Sequence, residues 1–406
     1  MKTAACKTSV NTGDSSGFAI QIVVLNVDGS SPSGHPSRRH HYFGDVSFCF
    51  KSMTKKAKTI ILLLAILLGY STRLMAQGDS TSLRPTFSLD ATTEIQTDCE
   101  IAKWANLLEL HATIPISRKF KFDIGTLSFY TNDEEGLLED MQIFSNLDAL
   151  NVAFALSTAG FTWQINDRHS LFAGIRRIDE DYFCSDALST FTNSSCGGFP
   201  TLTGNYTMPT YPVSAMGLHY VYDHKNVTFQ ASLYNGFAHQ DLTGRYNVFR
   251  VCPKTDGVFA LTQVEYRHGD SHYYLGGSLY HGDFTLEGVE RITRPSIWTL
   301  AEQALSPDLT LLAAYSHAFS DDEVFNHFAG IGLRYVLGRA EFGIFSDFVH
   351  YDNLDLDIAT DGYEFATELT CKVHLTDWFS IQPVVHIINT DGDGLCVGVL
   401  RLNVSL

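Results

Sequence analysis

The sequence predicts an all-β fold: a transmembrane antiparallel β-barrel of about sixteen strands, with short turns on one rim and long loops on the other. Three observations carry this. Side chains alternate apolar and polar with period two over segment after segment, and almost nowhere follow a helical stripe. The segments run about ten to thirteen residues, beyond the length usual in soluble sheets and right for crossing a bilayer at a tilt. The connections alternate in length along the chain, as they must when every second turn lies on the same rim.

The expected strands cover 85–97, 104–115, 120–131, 146–164, 169–178, 212–222, 226–237 and 257–267. They continue over 271–282, 295–304, 308–319, 325–336, 338–350, 361–374, 377–388 and 394–406. In the first, Phe87, Leu89, Ala91, Thr93 and Ile95 share one face, opposite Ser88, Asp90, Thr92, Glu94 and Gln96. Val227, Phe229, Ala231 and Leu233 repeat the pattern against Thr228, Gln230, Ser232 and Tyr234. Near the C-terminus, Phe365, Thr367, Leu369, Cys371 and Val373 oppose Glu364, Glu368, Thr370, Lys372 and His374, with Ala366 interrupting the polar face. The last strand sets Leu400, Leu402, Val404 and Leu406 against Arg401, Asn403 and Ser405. Tight polar turns such as Asn166-Asp167-Arg168, Asp223-His224-Lys225 and His268-Gly269-Asp270 follow even-numbered strands. Longer connections at 132–145, 179–211, 238–256, 283–294 and 351–360 follow odd-numbered ones.

Such a sheet has to close. In lipid no water satisfies an unpaired N–H or C=O, so the first strand must bond to the last. Eight strands fill with side chains, whereas about sixteen leave an aqueous interior. Apolar-out, polar-in closure therefore predicts a pore. A secreted β-sandwich would also alternate, but with shorter strands.

Ahead of the barrel, Lys55, Lys56 and Lys58 precede an apolar run from Ile60 to Leu68, and the small residue Ala76 stands before Gln77. That order predicts a secretory signal peptide over 53–77 and a mature barrel over 78–406. Residues 1–52 carry Ser, Gly and His clusters without periodicity, and read as a non-native leader or a disordered segment. The apolar run is too short for a comfortable membrane helix, and no later segment approaches one.

Lys+Arg number 28 against Asp+Glu 45, a formal net charge of −17, which argues against a nucleic-acid partner. At 45 % hydrophobic residues the chain is too apolar for disorder. Removing 1–77 leaves it more acidic still, so cations and neutral solutes are expected to pass more readily than anions. No Gly-x-Ser-x-Gly, Walker loop or dinucleotide fingerprint is present. Ser316 and His317 are adjacent in a strand and so point to opposite faces. No enzymatic activity and no cofactor are expected. Nor is a metal site, since Cys-x-x-Cys pairs and matching His spacing are lacking and Asp391-Gly392-Asp393-Gly394 reads as a turn.

Three stretches resemble the carbohydrate-selective porins, the OprB-like family of Gram-negative outer membranes. One runs from Asp181-Tyr182-Phe183-Cys184-Ser185 through Phe191-Thr192-Asn193-Ser194-Ser195-Cys196-Gly197-Gly198-Phe199-Pro200 to Tyr211-Pro212-Val213-Ser214-Ala215-Met216-Gly217. Another is Ala231-Ser232-Leu233-Tyr234-Asn235-Gly236. The third runs from Glu368-Leu369 through Trp378-Phe379-Ser380-Ile381-Gln382-Pro383 to Ile387-Ile388-Asn389. The resemblance implies a sixteen-stranded outer-membrane channel through which sugars diffuse, narrowed by a loop folded inward.

The longest connection, 179–211, is the third on the long-loop rim. Its aromatics, Tyr182, Phe183, Phe191, Phe199 and Tyr206, would cost free energy in water, so it is expected to fold into the channel mouth. Arg176 and Arg177 precede it, and Asp179, Glu180 and Asp181 open it. Opposed charges there would offer hydrogen bonds to sugar hydroxyls, and flat rings such as Tyr182 and Phe191 suit the apolar faces of pyranoses. Plain salt bridging among these groups is the competing reading. Alternation also places Gln263, Glu265, Arg267, Arg334, Glu368, Lys372, His374, Gln382 and His386 on the lumen wall, of which Glu265, Arg267, Glu368 and Lys372 join the candidate constriction. Cys184 and Cys196 share the loop and could close a disulfide ring in an oxidising compartment. Cys371 and Cys396 alternate with outward residues and are expected to face lipid.

The expected function is passive diffusion of carbohydrates and other small hydrophilic solutes, in contact with outer-membrane lipids. A non-transporting surface barrel that binds a partner through its loops is the alternative. The oligomeric state stays open.

Overall fold

The computed structural model describes residues 83–138, 140–206, 208–282, 292–320, 323–352 and 361–406; the expected leader and signal, and most of the connections at 283–294 and 351–360, lie outside them. Its first strands are β1 (Thr86–Thr97), β2 (Ala102–Pro115), β3 (Phe120–Thr131), β4 (Val152–Asn166) and β5 (His169–Arg176). Then come β6 (Ala215–His224), β7 (Val227–Asn235), β8 (Val258–His268), β9 (Ser271–Gly282) and β10 (Ile292–Ser306). The last are β11 (Leu309–Ala318), β12 (Phe325–Leu337), β13 (Ala340–Asp352), β14 (Asp361–His374), β15 (Phe379–Thr390) and β16 (Asp393–Ser405). Every strand pairs with its sequence neighbours, and β1 pairs with β16 to close the barrel. That seam runs antiparallel from Asp90↔Ser405 to Thr97↔Gly398. Leu89 and Leu406 exchange two further backbone bonds of 3.0 and 2.9 Å.

Exposed apolar side chains ring the outside. Leu233, Leu279, Ile297, Ile331, Ile344 and Leu369 are each about two-fifths or more exposed, as lipid-facing residues are. Aromatics flank this band, with Trp104 against Tyr130 at 5.3 Å toward the loop rim and Phe120 stacked on Trp163 at 5.9 Å toward the short-turn rim.

The inner face departs from a purely polar lumen. Tyr234, Phe259, Tyr280, Trp298, Leu300, Leu312, Phe328 and Phe345 all point inward and are buried. They belong to one cluster with Ile178, Tyr182, Phe183, Leu188, Phe191, Phe199, Leu202 and Tyr206 of the β5–β6 connection, which spans 177–214. The inward loop is the reason: its aromatics need an apolar wall. Glycines make room for this packing. A Cβ on Gly276 would lie 2.1 Å from the Trp298 ring, and one on Gly343 would lie 2.7 Å from Phe191.

Strand starts differ from expectation most at β4, β6 and β10, the last beginning at Ile292 rather than 295. β4 begins at Val152 rather than 146, because the preceding residues belong to a second inward loop, 132–151, whose Leu147 and Ala149 pack on Ala105 and Phe129. β6 begins at Ala215 rather than 212, where Pro212 has no N–H for the ladder. The loop rim is also less uniform than expected, since the β1–β2 and β15–β16 connections are tight.

Candidate functional site

The site begins where β5 ends. Arg176, the last residue of the strand, points inward, its guanidinium 5.0 Å from the Phe172 ring. It donates through Nε and Nη2 to both Asp181 oxygens at 2.5 Å. Ile178–Glu180 then form a single 3₁₀ turn that carries Asp179 and Glu180. Arg177 reaches across the mouth of the lumen, with Nη2 3.1 Å from Glu109 of β2 and Nε 3.5 Å from both Asp179 and Glu180. The Thr158 hydroxyl donates to Glu180 at 2.7 and 2.8 Å.

Burial lowers the affinity of the Arg177 guanidinium for its proton, but Asp179, Glu109 and Glu180 outweigh that and raise its pKa, so it stays charged. Burial pushes Glu180 up to about 7, against the opposing pull of Arg177 and Arg176.

The loop descends from this entrance. Tyr182 is fully buried, its hydroxyl 2.8 Å from Ser232 Oγ, and its ring lies edge-on to Trp298 at 6.4 Å. Phe191, at the tip, lies 5.3 Å from Phe345. Glu368 on β14 accepts the backbone N–H groups of Thr192 and Asn193, all at 2.9 Å. The Ser185 hydroxyl donates to Glu302 of β10. A fully buried Leu or Phe contributes about 1.5–3 kcal/mol, so this packing can hold the loop without a covalent tie. Cys184 and Cys196 are free thiols, one exposed and one buried, and the ring that sequence allowed is not formed. Cys371 and Cys396 are also free and follow the outward alternation, opposite Phe342 and Ile387.

The sequence-nominated residues thus fall into three groups. Arg176, Arg177, Asp179, Glu180 and Tyr182 gather at the loop's start. Phe191 and Glu368 meet the loop tip. Glu265, Arg267 and Lys372 lie apart near the short-turn rim: Glu265 pairs with His272 at 2.7 Å, Arg267 with Asp223 at 2.7 Å, and Lys372 faces Glu341 in register. Sequence reasoning passed over Glu109, Gln142 and Tyr211. The inward alternation of β2 pointed to Glu109, whereas nothing local marks the two loop residues.

Above the entrance lies a cavity of about 1020 Å³, bounded by 132–151, 177–214 and residues 237–246. Arg177, Asp179 and Phe191 line it together with Glu109, Gln142 and Tyr211.

A model of the carbohydrate-selective porin, OprB family, matches residues 91–406. The chain belongs to that family. OprB of Pseudomonas putida, in its high-pH structure, superposes with a TM-score of 0.66 at 15 % identity, over 79 % of this chain and 94 % of that one. OmpT of Vibrio cholerae gives 0.54 at 10 % identity, over 81 % and 100 % of the two chains. An anion-selective porin of Comamonas acidovorans gives 0.53 at 10 % identity, over 79 % and 99 %. No curated protein matches the sequence. At these identities the structural likeness speaks for the fold, and the family match for the function. The porin is an outer-membrane β-barrel for passive diffusion of carbohydrates and other small hydrophilic solutes. It is a transport channel rather than an enzyme.

Proposed function

We propose that the Arg177 entrance selects hydroxyl-rich neutral solutes during this diffusion. One observation carries the reading. Around the cavity, Arg177 Nε and Nη1, Asp179 Oδ1 and Tyr211 Oη are buried without a hydrogen-bond partner. Arg177 Nε has only ion-pair neighbours at 3.5 Å. Buried polar groups left unpaired cost about 1–3 kcal/mol each. These atoms are closed to solvent, so a solute with both donors and acceptors on every face, as a sugar has, satisfies them only where it displaces the side chains that cover them. A charged solute meets instead guanidinium and carboxylate groups already paired with one another, and loses its hydration for less return. Tyr211, only partly buried on the cavity wall, adds a ring face for the apolar side of a pyranose.

Outer-membrane lipids surround the exposed aliphatic band, and export through a signal at 53–77 fits this location. The selectivity is read by liposome swelling with the refolded chain 78–406. Wild type admits glucose faster than a charged solute of equal size. Arg177→Gln is expected to bring the two rates together, within about twofold of each other. Equal rates already in wild type would leave a porin that sorts by size alone.

A further inference from the structure

Two loops enter the lumen, and they are joined. Asn146 N donates to Thr192 O at 2.8 Å, and Ser194 N to Ile143 O at 3.1 Å. Loops 132–151 and 177–214 are therefore one hydrogen-bonded layer across the barrel. That layer hangs from one patch of wall on β13 and β14. Besides holding the Thr192 and Asn193 amides through Glu368, the wall presents Asp347, which accepts the Ser195 hydroxyl at 2.6 Å and the Asn193 amide at 3.3 Å. Glu364 accepts the backbone N–H of Met141 at 2.9 Å and of Gln142 at 3.0 Å. All three carboxylates are at most 3 % exposed. Their partners are loop amides and hydroxyls rather than cations, so their charge is spent on positioning backbone. Such charge-assisted bonds are about twice as strong as neutral ones.

We infer that Glu364, Glu368 and Asp347 are positioning residues for transport: by tying both inward loops to the β13–β14 wall they set the largest solute the porin admits. Each loop is also held elsewhere. Phe144 packs on Ala366 and Val384, and Arg401 of β16 donates to Asn146. The carboxylates add what packing lacks, a fixed height and direction for the loop backbone. The role rests on diffusion through the lumen and not on the filter at Arg177.

The same geometry makes the size limit sensitive to acid. The charged and titratable groups facing the patch are Asp140 and Asp148 of loop 132–151, Cys196 of loop 177–214, Tyr351 of β13, His386 of β15, Arg401 of β16 and Glu94 of β1. Arg401 is already bound to Glu94 at 2.5 Å. Protonation of the wall carboxylates removes the charge that strengthens each loop bond.

The test is swelling of liposomes holding the full mature chain, with raffinose compared against glucose. In Glu364→Gln/Glu368→Gln the raffinose-to-glucose ratio is expected to rise about fivefold, the factor that loss of one hydrogen bond's net stabilisation gives. Thr192→Pro provides a variant that leaves the wall intact. It deletes one amide donor to Glu368 together with the Thr192 hydroxyl's bond to His386 at 3.1 Å, and Phe191 already has the extended backbone (φ −93, ψ 154) that a following proline requires. It is expected to move the ratio in the same direction. Wild type should show the ratio rising as pH falls, while the double variant, left with Asp347 alone, responds less. A folded variant with an unmoved ratio, or a wild-type ratio independent of pH, overturns the inference alone. A wild type that admits no sugar overturns the pore and this inference with it.

Discussion

Glu180 lies among guanidinium groups yet titrates near neutrality, because burial costs its charged form more than Arg177 and Arg176 return. Above about pH 7 it adds a negative charge to an entrance that already holds Asp179, Asp181 and Glu109. Below that pH the carboxyl is neutral while both arginines remain charged, so the entrance turns more positive. Anions should then gain relative to cations as pH falls. In planar bilayers under a salt gradient, the reversal potential is expected to move toward anions across about pH 7, and Glu180→Gln should remove most of that shift. A shift that survives in Glu180→Gln would place the titrating group elsewhere. At this scale the sequence spoke through proximity along the chain. Arg176 to Asp181 are consecutive and stood out, whereas Glu109 reaches Arg177 only because barrel closure carries β2 to the same mouth.

Loop 177–214 is an element in its own right, packed by apolar burial against a wall whose ladders do not depend on it. Phe199 shows the consequence. It is 1 % exposed and stacks on Phe328 at 5.0 Å. Phe199→Ala removes about 3–5 kcal/mol of packing from the loop and none of the ladder bonds. Hydrogen exchange should therefore report lost protection across 188–206, while the barrel's own unfolding shifts by only a few degrees, about the scatter of ordinary variants. Coincident loss of both would show that loop and barrel unfold as one unit. Strands were the legible elements, since period two holds wherever one side meets lipid; β14 shows it, and Ala366, the break in its polar face, is the small residue that admits Phe144. Legibility failed where an inner wall carries a loop instead of water. There the apolar inward residues of β8 and β10 to β12 blur the alternation, and residues 146–151 look like strand because they too are buried on alternate positions.

Charge decides behaviour at the scale of the whole barrel. The chain carries an excess of acid, with a formal net charge of −17. Its inward cations are largely consumed locally: Lys103 pairs with Asp148 at 2.9 Å, Arg334 with Glu341 at 2.7 Å and Arg401 with Glu94 at 2.5 Å. Carboxylates and guanidinium groups that pair at contact distance leave little field beyond a few ångströms, so the long-range potential at the mouths follows the unpaired excess. That field attracts cations over a Debye length of about 10 Å at 0.1 M salt but only about 3 Å at 1 M. Contact pairs at the entrance are screened far less. The two contributions can therefore be separated by salt. Reversal potentials at neutral pH are expected to show cation preference at 0.1 M KCl and a preference close to unity at 1 M. A preference unchanged by salt would locate selectivity in the entrance pairs alone, and anion preference at both concentrations would mean that Arg176 and Arg177, rather than the acidic excess, set the sign.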